Sequence, residues 1–293
     1  LMVAMNRRSF LLSLPAAAAA SAPAYAPKLA VQTYVWTQEF AERKTTLLDG
    51  MDQLFADTKA AGYRRIELIP AFFTKEARPK TESLLRRTGL ELPILYSGGR
   101  LYDESAVSAI AAVIALADIV KPLGCRILNV NPDPKPGQEV KTGAELVTQA
   151  AAVERLRTEL EKRGMRLILH HHSPEMKDDA REWNHLLQNT KAGICLDIDW
   201  VKQGGQDPLK LMAAAGNRLA SLHIRNASNG IWTQSLDEGD YDYGAIRDRL
   251  KSMGFDGYLV VELAWNPKTA RTRTLEQNLE RSRVWAESMF QPT

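Results

Sequence analysis

Cysteine is scarce: only Cys125 and Cys195 occur in 293 residues, each inside an apolar, strand-like run. That fits two buried, reduced thiols better than a disulfide framework or a zinc site, and a bridge between the two is possible but not needed. No charge of one sign dominates either. Thirty-eight Lys and Arg stand against 35 Asp and Glu, interleaved along the chain, for a net charge of +3. The chain therefore lacks the basic stripe that a nucleic-acid partner requires. A phosphate-cradling glycine loop is missing too. Where an open, doubly wound nucleotide-binding sheet would place it, the chain reads Gln32-Thr33-Tyr34-Val35-Trp36. Gly98-Gly99 and Gly204-Gly205 are isolated pairs that read as loop turns.

Long apolar runs are absent as well. Phe10 to Ala22 is alanine-rich and too short to cross a bilayer core of about 30 Å, so no stable membrane span is expected. The same stretch reads instead as an export signal. Arg7-Arg8 precedes Phe10-Leu11, an apolar run follows, and Ala24-Tyr25-Ala26 supplies a small-residue cleavage site. This pattern resembles a bacterial twin-arginine signal over residues 1–26, which predicts a periplasmic protein beginning near Pro27. Twin-arginine export carries folded proteins, often with a cofactor already loaded, which suits a metal enzyme.

What remains, residues 27–293, is large enough for one α/β domain. Eight short β-branched or Leu-rich runs alternate with longer amphipathic stretches. The runs are Leu29–Val35, Arg65–Ile69, Leu92–Tyr96, Arg126–Val130, Arg166–His170, Ala192–Leu196, Leu219–Ile224 and Gly257–Leu263. Between them, Leu47–Ala60, Ser105–Val120, Glu145–Lys162 and Tyr243–Met253 have helical character. Gly62, Gly89, Gly124, Gly164 and Gly254 stand where helix C-caps should precede strands two, three, four, five and eight. Eight strand-helix units of this kind predict a single (β/α)₈ TIM barrel.

A barrel requires its functional side chains at the C-terminal ends of the strands. Strand five ends His170-His171-His172-Ser173-Pro174-Glu175, strand six Asp197-Ile198-Asp199, strand seven His223-Ile224-Arg225-Asn226, and strand eight Val261-Glu262. Four of the five histidines thus fall at two strand ends. Singly, His223 could be a hydrogen-bonded core histidine, Asp197 a loop cap and Glu262 half of an ion pair. Their coincidence on four successive strand ends points to a divalent ion such as Mn²⁺, Co²⁺, Zn²⁺ or Mg²⁺. Glu67, Asn129, Asn131, Trp200 and Arg225 also sit near strand ends and are read as substrate-facing, while Trp36 and Trp232 could stack on a sugar ring.

The stretch Gly193-Ile194-Cys195-Leu196-Asp197-Ile198-Asp199-Trp200-Val201, followed by Leu222-His223-Ile224-Arg225-Asn226 and Tyr258-Leu259-Val260-Val261-Glu262, resembles the xylose isomerase-like barrels of the sugar phosphate isomerase/epimerase group. The resemblance covers nearly the whole mature chain. It implies a metal held by a Glu on strand five, an Asp on six, a His on seven and a Glu on eight, and Asp197, His223 and Glu262 match the last three. Strand five departs, with His170 at the Glu position. The chain is similar there to a His-rich subgroup with His170, His172 and Glu175 in place, which resembles inosose dehydratases and lyases acting on 3-keto-glycosides. Alternation puts His170 and His172 on one side of the strand, so either could replace the carboxylate, as could Glu175.

The chemistry this implies is removal of a proton beside a carbonyl on a small carbohydrate, with Glu262, His170 or His172 as base. With one glutamate missing and phosphorylated sugars scarce outside the cytoplasm, β-elimination on a keto-sugar, keto-glycoside or keto-cyclitol is preferred. Isomerisation or epimerisation is the alternative. A non-catalytic periplasmic sugar-binding barrel is a reading of another class, and its aromatic platforms are less evident here than the ligand set. A multi-metal endonuclease would need more ligands and a basic face. Assembly into a homo-oligomer is left open.

Overall fold

The computed structural model describes residues 25–291. The expected export segment therefore lies outside the described residues up to residue 24, and so do residues 292–293. Tyr25 and Ala26 are already docked on the domain: the Tyr25 hydroxyl donates to the Phe290 carbonyl at 3.1 Å, and the Ala26 N–H to the Phe255 carbonyl at 3.0 Å.

Eight strands form the barrel: β1 (Lys28–Gln32), β2 (Arg65–Leu68), β3 (Glu91–Gly99), β4 (Ile127–Pro132), β5 (Arg166–Leu169), β6 (Gly193–Asp197), β7 (Leu219–Ile224) and β8 (Tyr258–Val261). All neighbours pair in parallel, and β1 pairs with both β2 and β8, which closes the sheet. The chain is a single (β/α)₈ barrel, as the alternation of apolar runs predicts. Parallel strands buried on both faces explain why these runs are nearly continuous in apolar residues.

The helices wrap the outside, and their ends are written in the sequence. The Thr142 hydroxyl accepts from the Glu145 N–H while the Glu145 carboxylate accepts from the Thr142 N–H, a capping box that starts the helix Gly143–Glu161. Gly89, at φ 67°, ends the helix Arg78–Thr88 in the left-handed region that only glycine enters freely. Gly62, Gly124, Gly164 and Gly254 repeat that positive φ before strands two, four, five and eight. The helix Ala106–Val120 with the turn to Leu123 is long and apolar enough to cross a membrane by length and composition. Here it is a barrel helix, with Ile110, Val113, Ala117 and Val120 facing inward.

Two sequence expectations are corrected. The first strand stops at Gln32 rather than Val35, because Tyr34–Glu42 is a helix that buries Val35, Trp36 and Phe40 along one face. Gly98 and Gly99 form no loop turn. They are the last residues of β3, paired with Asn131 and Pro132, and an added Cβ would come within 3.0 Å of Asp133 Oδ1 and 3.1 Å of Ala109 Cβ respectively.

Candidate metal centre

Strand alternation builds the site. Ile94, Ile168, Cys195 and Val260 are apolar residues packed inside the barrel. Two residues further along the same strands stand Tyr96, His170, Asp197 and Glu262, which must therefore face the same interior nearer the C-terminal mouth. His170 and Glu262 lie one residue past β5 and β8 yet still continue the ladder: the His170 N–H donates to the Val130 carbonyl and the Glu262 N–H to the Ile224 carbonyl, both at 3.0 Å. His223, on β7, pairs in register with Asp197 on one side and Val260 on the other.

These placements bring one ligand atom each from His170, Asp197, His223 and Glu262 to within 4.8 Å of one another, all four side chains buried. His223 Nδ1 is 2.9 Å from Glu262 Oε2, and His170 Nε2 is 3.6 Å from Asp197 Oδ2. Neither ring nitrogen of His170 has a hydrogen-bond partner, although the side chain is only 1% exposed. A buried imidazole with both nitrogens idle is unfavourable unless something donates to it or accepts from it. Two imidazoles and two carboxylates suit a divalent ion of the first transition row, so this set could hold the metal that the sequence calls for.

Charge in the site is tightly arranged. Burial disfavours a proton on His170, and the neighbouring His223 and His172 add to that, so its pKa falls well below the usual imidazole value. His223 behaves oppositely. Burial works against its charge, but Cys195, Glu67 and Glu262 around it outweigh burial and hold it protonated well above the usual range. Burial raises Asp197 to about 6, with Arg225 opposing. Burial also acts to raise Glu262, yet Arg225 and His223 more than reverse it, and that carboxyl sits well below the ordinary range. An ion entering the site must therefore displace the proton on His223.

Arg225 is the one guanidinium in this cluster. Its Nη2 is 2.8 Å from Glu262 Oε2 and 3.4 Å from Asp197 Oδ2. The group lies 5.2 Å from the Trp200 ring and 4.8 Å from the Trp232 ring, while its Nε and Nη1 lack hydrogen-bond partners, Nε lying 3.8 Å from Asp199 Oδ2. Trp232 arrives on a short hairpin, Ala227–Ser228 with Ile231–Trp232. Asp199 pins that hairpin by accepting from Trp232 Nε1 at 3.0 Å and from the Tyr241 hydroxyl at 2.6 Å. His172 is half-buried at the rim, edge-on to Trp200 at 5.4 Å and to His170 at 5.0 Å.

The remaining sequence candidates divide. Glu175 is not brought into the cluster: it is buried on the following turn, where its Oε2 accepts from the His172 N–H at 3.1 Å. Glu67 and Asn129 are corrected from substrate-facing groups to supports, since both are fully buried beneath His223 and have no open surface. Asn131 is buried, with Nδ2 donating to the Pro132 carbonyl at 3.2 Å and Oδ1 unpartnered. Trp36 packs in the core, 1% exposed, which removes it as a sugar platform. Sequence reasoning missed Tyr96, whose ring meets His170 edge-on at 5.3 Å. Its place two residues after Ile94 on an alternating strand was the available signal, but tyrosine is common in strands and carries no metal chemistry.

The model of the xylose isomerase-like TIM barrel family matches residues 55–288. The chain belongs to that family. It is 24% identical over 286 residues to the rhizopine catabolism protein MocC of Rhizobium meliloti, covering 84% of each chain. It is 21% identical over 257 residues to an inosose dehydratase of Geobacillus kaustophilus, covering 76% of this chain and 83% of that one. Among solved structures, a sugar phosphate isomerase/epimerase from Parabacteroides distasonis superposes with a TM-score of 0.69 at 22% identity, over 95% of this chain and 99% of the other. The 3-keto-D-glucoside 4-epimerase YcjR from E. coli superposes with a TM-score of 0.68 at 14% identity, over 89% and 99%. At these identities the solved structures establish the barrel alone.

Proposed function

We propose that this family member is a metal-dependent lyase or dehydratase acting on a non-phosphorylated keto-sugar, keto-glycoside or keto-cyclitol. The observation that carries the reading is His170, buried among Asp197, His223 and Glu262 with both ring nitrogens unpartnered. A divalent ion held by these four residues would polarise the substrate carbonyl and stabilise the charge that gathers on its oxygen when the adjacent carbon loses a proton.

The protein's own groups then set the course of the reaction. His172 stands at the rim, free of the ligand cluster, and burial lowers its pKa, so it is neutral at pH 7 and able to take the α-proton. The same depressed pKa makes the resulting imidazolium a ready donor. As the C–O bond β to the carbonyl breaks, its electrons leave with the oxygen, and that proton can follow to the departing group. Glu262 is less suited to proton removal, since Oε2 accepts from Arg225 Nη2, lies 2.9 Å from His223 Nδ1, and the carboxyl is held strongly ionised. Epimerisation would need a second base beside His172, and Glu262, tied to Arg225 and strongly ionised, is poorly suited to that role.

Site charge supports a neutral substrate. Glu67, Asp197, Asp199 and Glu262 outnumber Arg225 plus a dication, so no surplus positive charge awaits a phosphate. The relative named inosose dehydratase, an enzyme of the elimination class, agrees with this choice. We further propose export through residues 1–26 and action in the periplasm, on the Arg7-Arg8 pair ahead of Phe10-Leu11.

The test is the product spectrum of Mn²⁺-loaded protein with 3-keto-glycosides, inososes and simple ketoses, run in deuterated water. Elimination products from a neutral keto substrate are expected. Epimers or isomers only, with deuterium at the epimerised carbon, would overturn the lyase assignment, and absence of both turnover and α-proton exchange across the panel would overturn the enzyme reading.

A further inference from the structure

Glu67 is a carboxylate that the proton transfer above does not use. It comes from β2, it is completely buried, and among the described residues its only ion-pair partner is His223. Its Oε1 accepts from Asn129 Nδ2 at 3.0 Å, while Oε2 lies 2.8 Å from His223 Nε2, close but outside good hydrogen-bond angles. The Asn129 amide nitrogen is also 3.3 Å from His223 Nε2. On the opposite edge of the same ring, Nδ1 faces Glu262 Oε2 at 2.9 Å. His223 is therefore approached at Nε2 by Glu67 and Asn129 and presents Nδ1 to Glu262. Glu67 itself stays outside the mutually close group of His170, Asp197, His223 and Glu262.

We propose that Glu67, held by Asn129, is the positioning residue of the cation site, keeping the proton of His223 on Nε2 so that the Nδ1 lone pair is aimed at the ion. This rests on the metal-site reading above. An imidazole ligand binds through one nitrogen while the other donates its N–H, and an anionic acceptor for that N–H both fixes the ring and raises the basicity of the ligating nitrogen. Asn129 contributes by spending an amide N–H on Oε1, which orients the carboxylate and leaves Oε2 for the ring.

The test uses the full chain stripped of metal and titrated with Mn²⁺ by calorimetry, parent beside Glu67→Gln. The variant keeps the shape and removes the charge. It is expected to bind Mn²⁺ roughly 10- to 100-fold more weakly, the usual effect of losing such a partner, with its circular dichroism spectrum unchanged. A second measurement needs no variant: in the Zn²⁺-loaded parent, nitrogen-15 spectra should show His223 protonated at Nε2 and metallated at Nδ1. A variant with the parent's Mn²⁺ affinity, or the opposite tautomer in the parent, overturns the role of Glu67 while the metal site stands. A parent that binds neither ion removes the metal site and this inference together.

Discussion

His170→Leu tests the centre of the reasoning, because the same imidazole should be a burden without metal and an asset with it. In the metal-free protein the ring is neutral, buried and unpartnered at both nitrogens. Each such unmet polar group costs about 1–3 kcal/mol. Leucine has similar volume and no polar atom, and the repacking it demands beside Tyr96 and His172 should cost under about 1.5 kcal/mol. Metal-free His170→Leu should therefore unfold at the parent's temperature or above it, by up to about 2 kcal/mol of stability. Metal reverses the order. Saturation to 100 times the dissociation constant adds about 2.7 kcal/mol to whichever form binds, and in a domain of this size each kcal/mol moves Tm by about 2–4 °C. The parent should gain roughly 5–11 °C with Mn²⁺, whereas the variant, with three of four ligands left, should gain little. Differential scanning calorimetry in EDTA and in excess Mn²⁺ reads all four values. Equal metal-induced shifts in the two proteins would remove His170 from the ligand set, and a metal-free variant several degrees below the parent would show that the idle nitrogens were no cost.

Other outcomes follow from the same geometry. His172→Gln should retain Mn²⁺ affinity but lose on the order of 10²-fold or more in turnover and in α-proton exchange. Glu262→Gln, losing a ligand clasped by His223 and Arg225, should instead bind metal more weakly and keep exchange once saturated; the opposite pattern makes Glu262 the base. For the pH profile the sign is fixed, since a base must be unprotonated and the His172 pKa lies below the usual 6.5. Activity should hold as pH falls to 6.5 and decline only below it, an acid limb that disappears in His172→Gln. Finally, a folded reporter carrying residues 1–26 should reach the periplasm, and Arg7→Lys with Arg8→Lys should retain it in the cytoplasm; equal export of the double variant would reject a twin-arginine route.

The barrel was legible because its signals are local. Apolar runs, capping residues and the five C-cap glycines each act within a few residues, so their order along the chain suffices to count strand-helix units. The candidate cluster was legible for a related reason: one rule about strand ends turns sequence position into spatial position, and Asp197, His223 and Glu262 each lie within one residue of a strand's C-terminal end. The layering inside the barrel was harder to read. Whether a strand-end group looks upward to a substrate or sideways to a ligand depends on how far each strand protrudes. Glu67 is the third residue of a four-residue strand and so sits low, under His223, where sequence alone suggested contact with a sugar. Glu175 illustrates the other difficulty, because three residues of loop after His172 can turn a carboxylate away from the mouth and onto a backbone N–H.

Where the unmet polar atoms lie also bears on function. Among the described residues sixteen buried side-chain atoms lack a hydrogen-bond partner, and six of them belong to Glu67, Asn129, His170 and Arg225. Four residues of the site thus account for more than a third of the unmet atoms among the described residues. If even a few cost about 1 kcal/mol each, they would consume a large share of the 5–15 kcal/mol that separates a folded domain from its unfolded chain. Random imperfection would scatter such atoms through the core. Their concentration beside one set of four ligand atoms is what a site looks like when its groups are aimed at something other than the protein, with donors and acceptors fixed in advance so that little reorganisation is needed when charge develops there. Asp199, by contrast, meets Trp232 and Tyr241 with good hydrogen bonds, so the loops beside Arg225 are held in place independently of the unmet groups they surround.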